Sequence, residues 1–234
     1  MFGTLFGIGV GPGAPDLLTL RAVKALKEVN VVLGATRLGN EESCALNIAK
    51  PYLQPEAQIV QLDFPMTKDQ EKLAKAWQDN GQITFDFLKS GLNVAFLTLG
   101  DPLIYSTFIY ILRAVRKLSS DIPIKIIPGI TSFQAACAKM EISLCEQNEN
   151  MHLISGINSQ QVLEEELAQA DTAIILKAYR NFATIKKALE NCGLSQNCLQ
   201  ASFVEQEGEL IQRKLALEEK PPYMTMIVCK KKPD

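Results

Sequence analysis

The sequence predicts an α/β protein of two α/β domains, the first with an open parallel sheet and the second with a mixed sheet. Three observations predict it. Apolar runs of strand length alternate with helical patterns up to residue 140, strand-like runs crowd together with short connections after residue 198, and a polar stretch, EQNEN, lies between the two patterns. Alternating strands and helices imply a parallel sheet covered on both faces, whereas short connections imply antiparallel pairing. The expected domains are residues 1–145 and 146–234.

In order, residues 4–10 read as a strand and 16–28 as a helix, with Leu17, Leu18, Leu20, Val23, Ala25 and Leu26 at mostly helical spacing. A strand at 30–34, a helix at 41–50 and a strand at 58–62 follow, then a long helical stretch at 68–90. The strand at 93–99, the helix at 105–117, the strand at 123–127 and the helix at 131–140 complete the first pattern. Beyond EQNEN come strands at 151–155, 173–178, 198–204, 209–217 and 223–229, with helices near 160–169 and 181–191.

The chain has 234 residues, 47% of them hydrophobic, enough for two buried cores. A formal charge of −2 offers no broad cationic surface for nucleic acid. No apolar run reaches the ~20 residues of a membrane span, and the N-terminus lacks a signal pattern, so the default expectation is a cytoplasmic protein without membrane partners. Six cysteines without a CxxC pair and a single histidine, His152, argue against a zinc site and for reduced, mostly buried thiols. No metal ligands are expected.

Three loops carry the chemistry. The first is GIGVGPGAP, residues 7–15, between a strand and a helix. Gly9, Gly11 and Ala14 satisfy a dinucleotide fingerprint formally. Pro12 and Pro15, however, lack the amide donors a phosphate wants, and Asp16 puts a negative charge where the anion would sit. The second strand ends in ATR, without the acidic residue that holds a ribose, and Arg37 would fit an NADP phosphate only loosely. A tight turn, an unusual ligand loop and a dinucleotide site all stand as readings. In the second loop, TLGDPLIYST, Gly100 permits a turn and Asp101 is either a ligand contact or a helix cap. In the third, Pro128 and Gly129 turn the chain before Thr131 and Ser132, hydroxyls that either cap a helix or face a ligand. All three follow strands of one parallel sheet, whose carboxyl edge is where ligands bind.

Together, GIGVGPGAPDLLTLRAVKAL, LGDPLIYST and PGITSFQAA, in this order and spacing, resemble the tetrapyrrole (corrin and porphyrin) methylases, which use S-adenosylmethionine. KPYL at 50–53, LDFPMTKD at 62–69 and VAFLTLGDPLIYSTFIYIL at 94–112 look like the branch that methylates C20 of precorrin-2 or of cobalt-factor II in cobalamin biosynthesis. The resemblance implies two α/β domains with the donor in the cleft between them, a homodimer, a tetrapyrrole substrate, and S-adenosylhomocysteine as product. It also implies donor contacts at Pro12, at Leu99, Gly100, Asp101 and Ile104, and at Thr131 and Ser132. In the second domain it implies Lys177 and Val204, although Lys177 reads equally as a surface or substrate-facing ammonium.

Arg37 and Lys68 are candidates for the substrate carboxylates. Tyr105 and Tyr110 lie near the second loop, His152 reads as structural, and the catalytic base is unknown. The rival readings are a methylase of another ring position, an NADP-dependent reductase and a non-catalytic tetrapyrrole-binding protein.

Overall fold

The computed structural model describes residues 1–36, 43–155, 159–215 and 220–231. By packing the chain divides into Met1–Thr131 and Ser132–Asp234.

The first unit holds strands β1 (Leu5–Gly9), β2 (Val31–Thr36), β3 (Gln58–Asp63), β4 (Val94–Thr98) and β5 (Ile124–Ile127). They pair in the order β3-β2-β4-β1-β5, every pair parallel, as the alternation of strand and helix predicts. Helices α1 (Leu20–Leu26) and α2 (Cys44–Ala49) contribute Ala22, Leu26, Leu46 and Ile48 to a buried cluster with Phe6, Ile8 and Leu97. On the opposite face, α3 (Gln70–Lys89) and α4 (Phe108–Leu118) bury Leu88, Phe108, Ile111 and Val115 with Leu5 and Phe96. The period of 2 along β1 and β4 divides these clusters, and each fully buried large side chain contributes about 1.5–3 kcal/mol.

Helix boundaries differ from the expectation where a side chain competes for backbone. The helix expected over 16–28 is a three-residue 3-10 turn, Pro15–Leu17, followed by α1, because Thr19 is extended and its Oγ1 accepts a bond from Ala22 N at 3.1 Å. The helix expected from residue 105 begins at Phe108, since Tyr105 sits at φ 48°.

The second unit opens with α5 (Ser132–Lys139) and continues through β6 (Met151–Ser155), α6 (Gln160–Gln169), β7 (Thr172–Leu176), α7 (Phe182–Asn191), β8 (Cys198–Ser202), β9 (Leu210–Gln212) and β10 (Thr225–Lys230). Its sheet runs β6-β7-β10-β8-β9. The first pair is parallel, and β10 is antiparallel to both its neighbours, as is β9 to β8. The strand expected over 209–217 is only three residues long among the described positions. Just beyond it, Arg213 leaves the ladder to donate from Nη2 to Met140 O at 2.9 Å. Leu163, Leu167, Ile185 and Leu189 of α6 and α7 bury against Ala173, Ile175 and Ile227. Among the described residues no helix is long and apolar enough to cross a membrane.

Candidate functional site

The loops after β1, β4 and β5 leave the carboxyl edge of three adjacent strands of the first sheet, the edge where α/β sheets build ligand sites. Their backbones are locked together. Val10 N donates to Thr98 O at 3.0 Å, and Gly100 N to Gly11 O at 2.8 Å with Gly11 N returning to Gly100 O at 3.4 Å, the last two making an isolated antiparallel bridge between two loops of a parallel sheet. A Cβ on Gly9 would stand 2.5 Å from Gly100 O and 2.6 Å from Gly129 N, far inside van der Waals contact, so glycine is required where the three loops meet.

Asp101 completes the lock. Its Oδ2 accepts from Gly129 N at 3.0 Å and its Oδ1 from Leu103 N at 2.8 Å. The cap reading of Asp101 is therefore corrected: α4 begins seven residues later, after Thr107, and the carboxylate ties the β5 loop to the β4 loop. Ser106, to which the sequence reading gave no role, helps hold the same loop. Its Oγ lies 2.8 Å from Thr98 Oγ1 and accepts from Phe108 N at 3.1 Å.

Gly100 itself has φ +70°, and a Cβ there would meet nothing nearer than Ile130 O at 3.9 Å and Thr131 Cα at 4.0 Å. A methyl at this residue would touch Ile130 and Thr131 at ordinary van der Waals distance, without the clash that Gly9 and Gly129 would suffer. Pro12 and Thr131 are buried, and Leu99, Gly100, Asp101 and Ile104 are half-buried around it. The first unit brings these six expected positions onto one edge.

The loop is not a phosphate cradle. Thr19 Oγ1 caps Ala22 N in the first turn of α1, and the intervening turn carries the exposed carboxylate of Asp16.

In the second unit, β7 and β8 end on one edge of their sheet, where β10 begins. Lys177 follows β7 at φ 57° and is exposed; partial burial, with the charge of Arg180, holds its pKa below the ordinary lysine value. Val204 follows β8 and is 3% exposed, between Phe203 at φ 50° and Glu205 at φ 62°. Ser132 Oγ lies 3.5 Å from Met226 Sδ in β10. Buried Ser202 and Thr225 share a hydroxyl bond of 2.6 Å beneath this edge.

Other candidates fall elsewhere. Tyr110 stacks on Trp77 with centroids 4.0 Å apart, within the α3 and α4 packing. His152 Nδ1 lies 2.7 Å from Glu166 Oε2, between β6 and α6, as a structural histidine would. Lys68 is exposed just ahead of α3, and Tyr105 is exposed in the second loop. Arg37 lies outside the described residues.

At Gly100, φ +70° and the absence of a Cβ leave the loop backbone uncovered by a side chain of its own. Comparisons with known proteins show the family and the fold. The family model for tetrapyrrole (corrin/porphyrin) methylases matches residues 4–215. Among curated relatives, a cobalt-precorrin-2 C(20)-methyltransferase of Salmonella typhimurium is 30% identical, over 99% of this chain and 98% of that protein. A precorrin-2 C(20)-methyltransferase of a Sinorhizobium species is 31% identical, over 97% and 94%. Among solved structures, a Thermus thermophilus uroporphyrin-III C-methyltransferase complexed with S-adenosylhomocysteine superposes with a TM-score of 0.66 at 22% identity, covering 98% of each chain. A cobalt precorrin-4 methyltransferase superposes with a TM-score of 0.71 at 18% identity, covering 97% of this chain and 94% of the other.

Proposed function

Because this chain belongs to the tetrapyrrole (corrin/porphyrin) methylases, we propose that it transfers a methyl group from S-adenosylmethionine to C20 of precorrin-2 or of its cobalt-loaded counterpart. The observation that carries this reading is the joining of the β1, β4 and β5 loops at Gly9, Gly100 and Gly129, in a chain that aligns nearly end to end with C20-methyltransferases.

When bound, S-adenosylmethionine supplies an electrophilic methyl carbon on its sulfonium. The chain's part is positioning and the exclusion of water. Gly100, without a side chain, lets a ligand meet the loop backbone. Main-chain groups at Asp101 and Ile104 hold its polar end, and the Asp101 carboxylate keeps that loop in register through the Gly129 and Leu103 amides. The hydroxyls of Thr131 and Ser132 donate and accept hydrogen bonds. In the first unit Pro12, Leu99 and Ile104 supply apolar contacts, and in the second Val204 is a further donor contact. Lys177 serves either the donor or a substrate carboxylate. We further propose a cytoplasmic homodimer.

The test is incubation of the purified protein with methyl-labelled S-adenosylmethionine and either metal-free precorrin-2 or cobalt-factor II under anaerobic conditions. Label at C20 of one substrate is the expected result and identifies which. Label at another ring position, or none with donor bound, overturns the C20 assignment.

A further inference from the structure

Helix α5 starts at Ser132, a proposed donor contact, and ends at Lys139. The ammonium of Lys139 lies 3.0 Å from Glu205 Oε1 and 2.8 and 2.9 Å from the two oxygens of Glu209. Glu209 Oε2 in turn accepts the backbone N–H of Glu205. One lysine, two carboxylates and one amide thus clamp the segment that follows β8, and Arg213 adds a second cation at the same helix end through Met140 O.

That segment is strained. Phe203 and Glu205, on either side of Val204, both have positive φ without being glycine, and such residues persist only where their surroundings hold them. The loop's own bonds, Gln206 N to Phe203 O at 2.8 Å and Glu209 N to Gln206 O at 3.1 Å, close two local turns; from outside the segment, Met224 O accepts from Phe203 N at 3.3 Å on one side of Val204, and Lys139 ties Glu205 and Glu209 on the other. An isolated exposed ion pair contributes little. This one differs because it grips the residue next to Val204 and holds it against its backbone preference.

We propose that Lys139 is a positioning residue for methyl-donor binding: with Glu205 and Glu209 it holds Val204 in place, so that α5 orders the donor site from both of its ends. The inference rests on Val204 meeting the donor, as proposed above.

Calorimetric titration of the full-length protein with S-adenosylhomocysteine tests it. Lys139→Met is expected to weaken binding about tenfold, since a misplacement of about 1 Å in a positioning contact is enough for such losses. It should leave the tetrapyrrole KM unchanged. Glu209→Gln is expected to weaken binding in the same direction, and Lys139→Arg to restore it. Should Lys139→Met fail to fold, Glu209→Gln against Lys139→Arg decides alone. Binding of both Lys139→Met and Glu209→Gln within twofold of wild type overturns the inference, as does equal impairment of the Met and Arg variants. A wild-type protein that does not bind S-adenosylhomocysteine overturns the functional reading itself, a distinct result.

Discussion

Replacing Gly100 by alanine separates a ligand-facing glycine from a structural one. The added methyl meets no atom nearer than 3.9 Å, so packing gives no penalty, and the cost to the fold comes from φ +70° alone. For an L-residue that cost is about 1–2 kcal/mol, a fall of roughly 2–8 °C in the thermal midpoint of a chain this size. The methyl would stand at ordinary contact distance from Ile130 O and Thr131 Cα. If the donor lies against this backbone, its affinity should fall at least about tenfold, equivalent to about 1.4 kcal/mol. Gly9→Ala is the structural counterpart. Its methyl would meet the Gly100 carbonyl and Gly129 amide, backbone atoms that cannot step aside cheaply, and overpacking of this kind costs about 1–3 kcal/mol. Circular dichroism melts and calorimetry with S-adenosylhomocysteine read the two effects separately. Wild-type affinity in a folded Gly100→Ala protein would refute the claim that this face of the loop receives the ligand.

Further expectations follow from the same geometry. Asp101→Ala leaves the Gly129 and Leu103 amides without their carboxylate, and should reduce S-adenosylhomocysteine affinity more than stability; unchanged affinity with a lowered melting temperature would make Asp101 purely structural. Ser202→Ala should cost about 1–3 kcal/mol in denaturant unfolding, because it strands the buried Thr225 hydroxyl, whereas Ser202→Ala with Thr225→Val should cost less than the two changes added. Among the six free thiols, exposed Cys145 should react first with a thiol reagent under native conditions. Buried Cys229, whose pKa is pushed up by burial and by its neighbour Cys198, should react only on unfolding.

The fold was largely legible because its signals are local. Strand–helix alternation requires a parallel sheet, and the crowded late strands require antiparallel pairing, both visible as periodicity in the chain. The structure reproduces β6 and α6 at the expected bounds, and differs where one side chain competes for backbone, as Thr19 does at α1.

The family was legible too, in the order and spacing of the three glycine- and proline-bearing loops at strand ends. What no local pattern contains is how those loops are held. Asp101 is 28 residues from the Gly129 amide it binds, and Lys139 is 70 from Glu209. At that separation only the pairing of β4 and β5 on either side of β1, and the packing of α5 in the second unit, bring the partners within hydrogen-bond reach. Sequence determined which residues were available to make a site, because backbone preference and hydrophobic period act over a few residues. Tertiary structure decided which of them work together, because hydrogen bonds and ion pairs act over a few ångströms, whatever the distance along the chain.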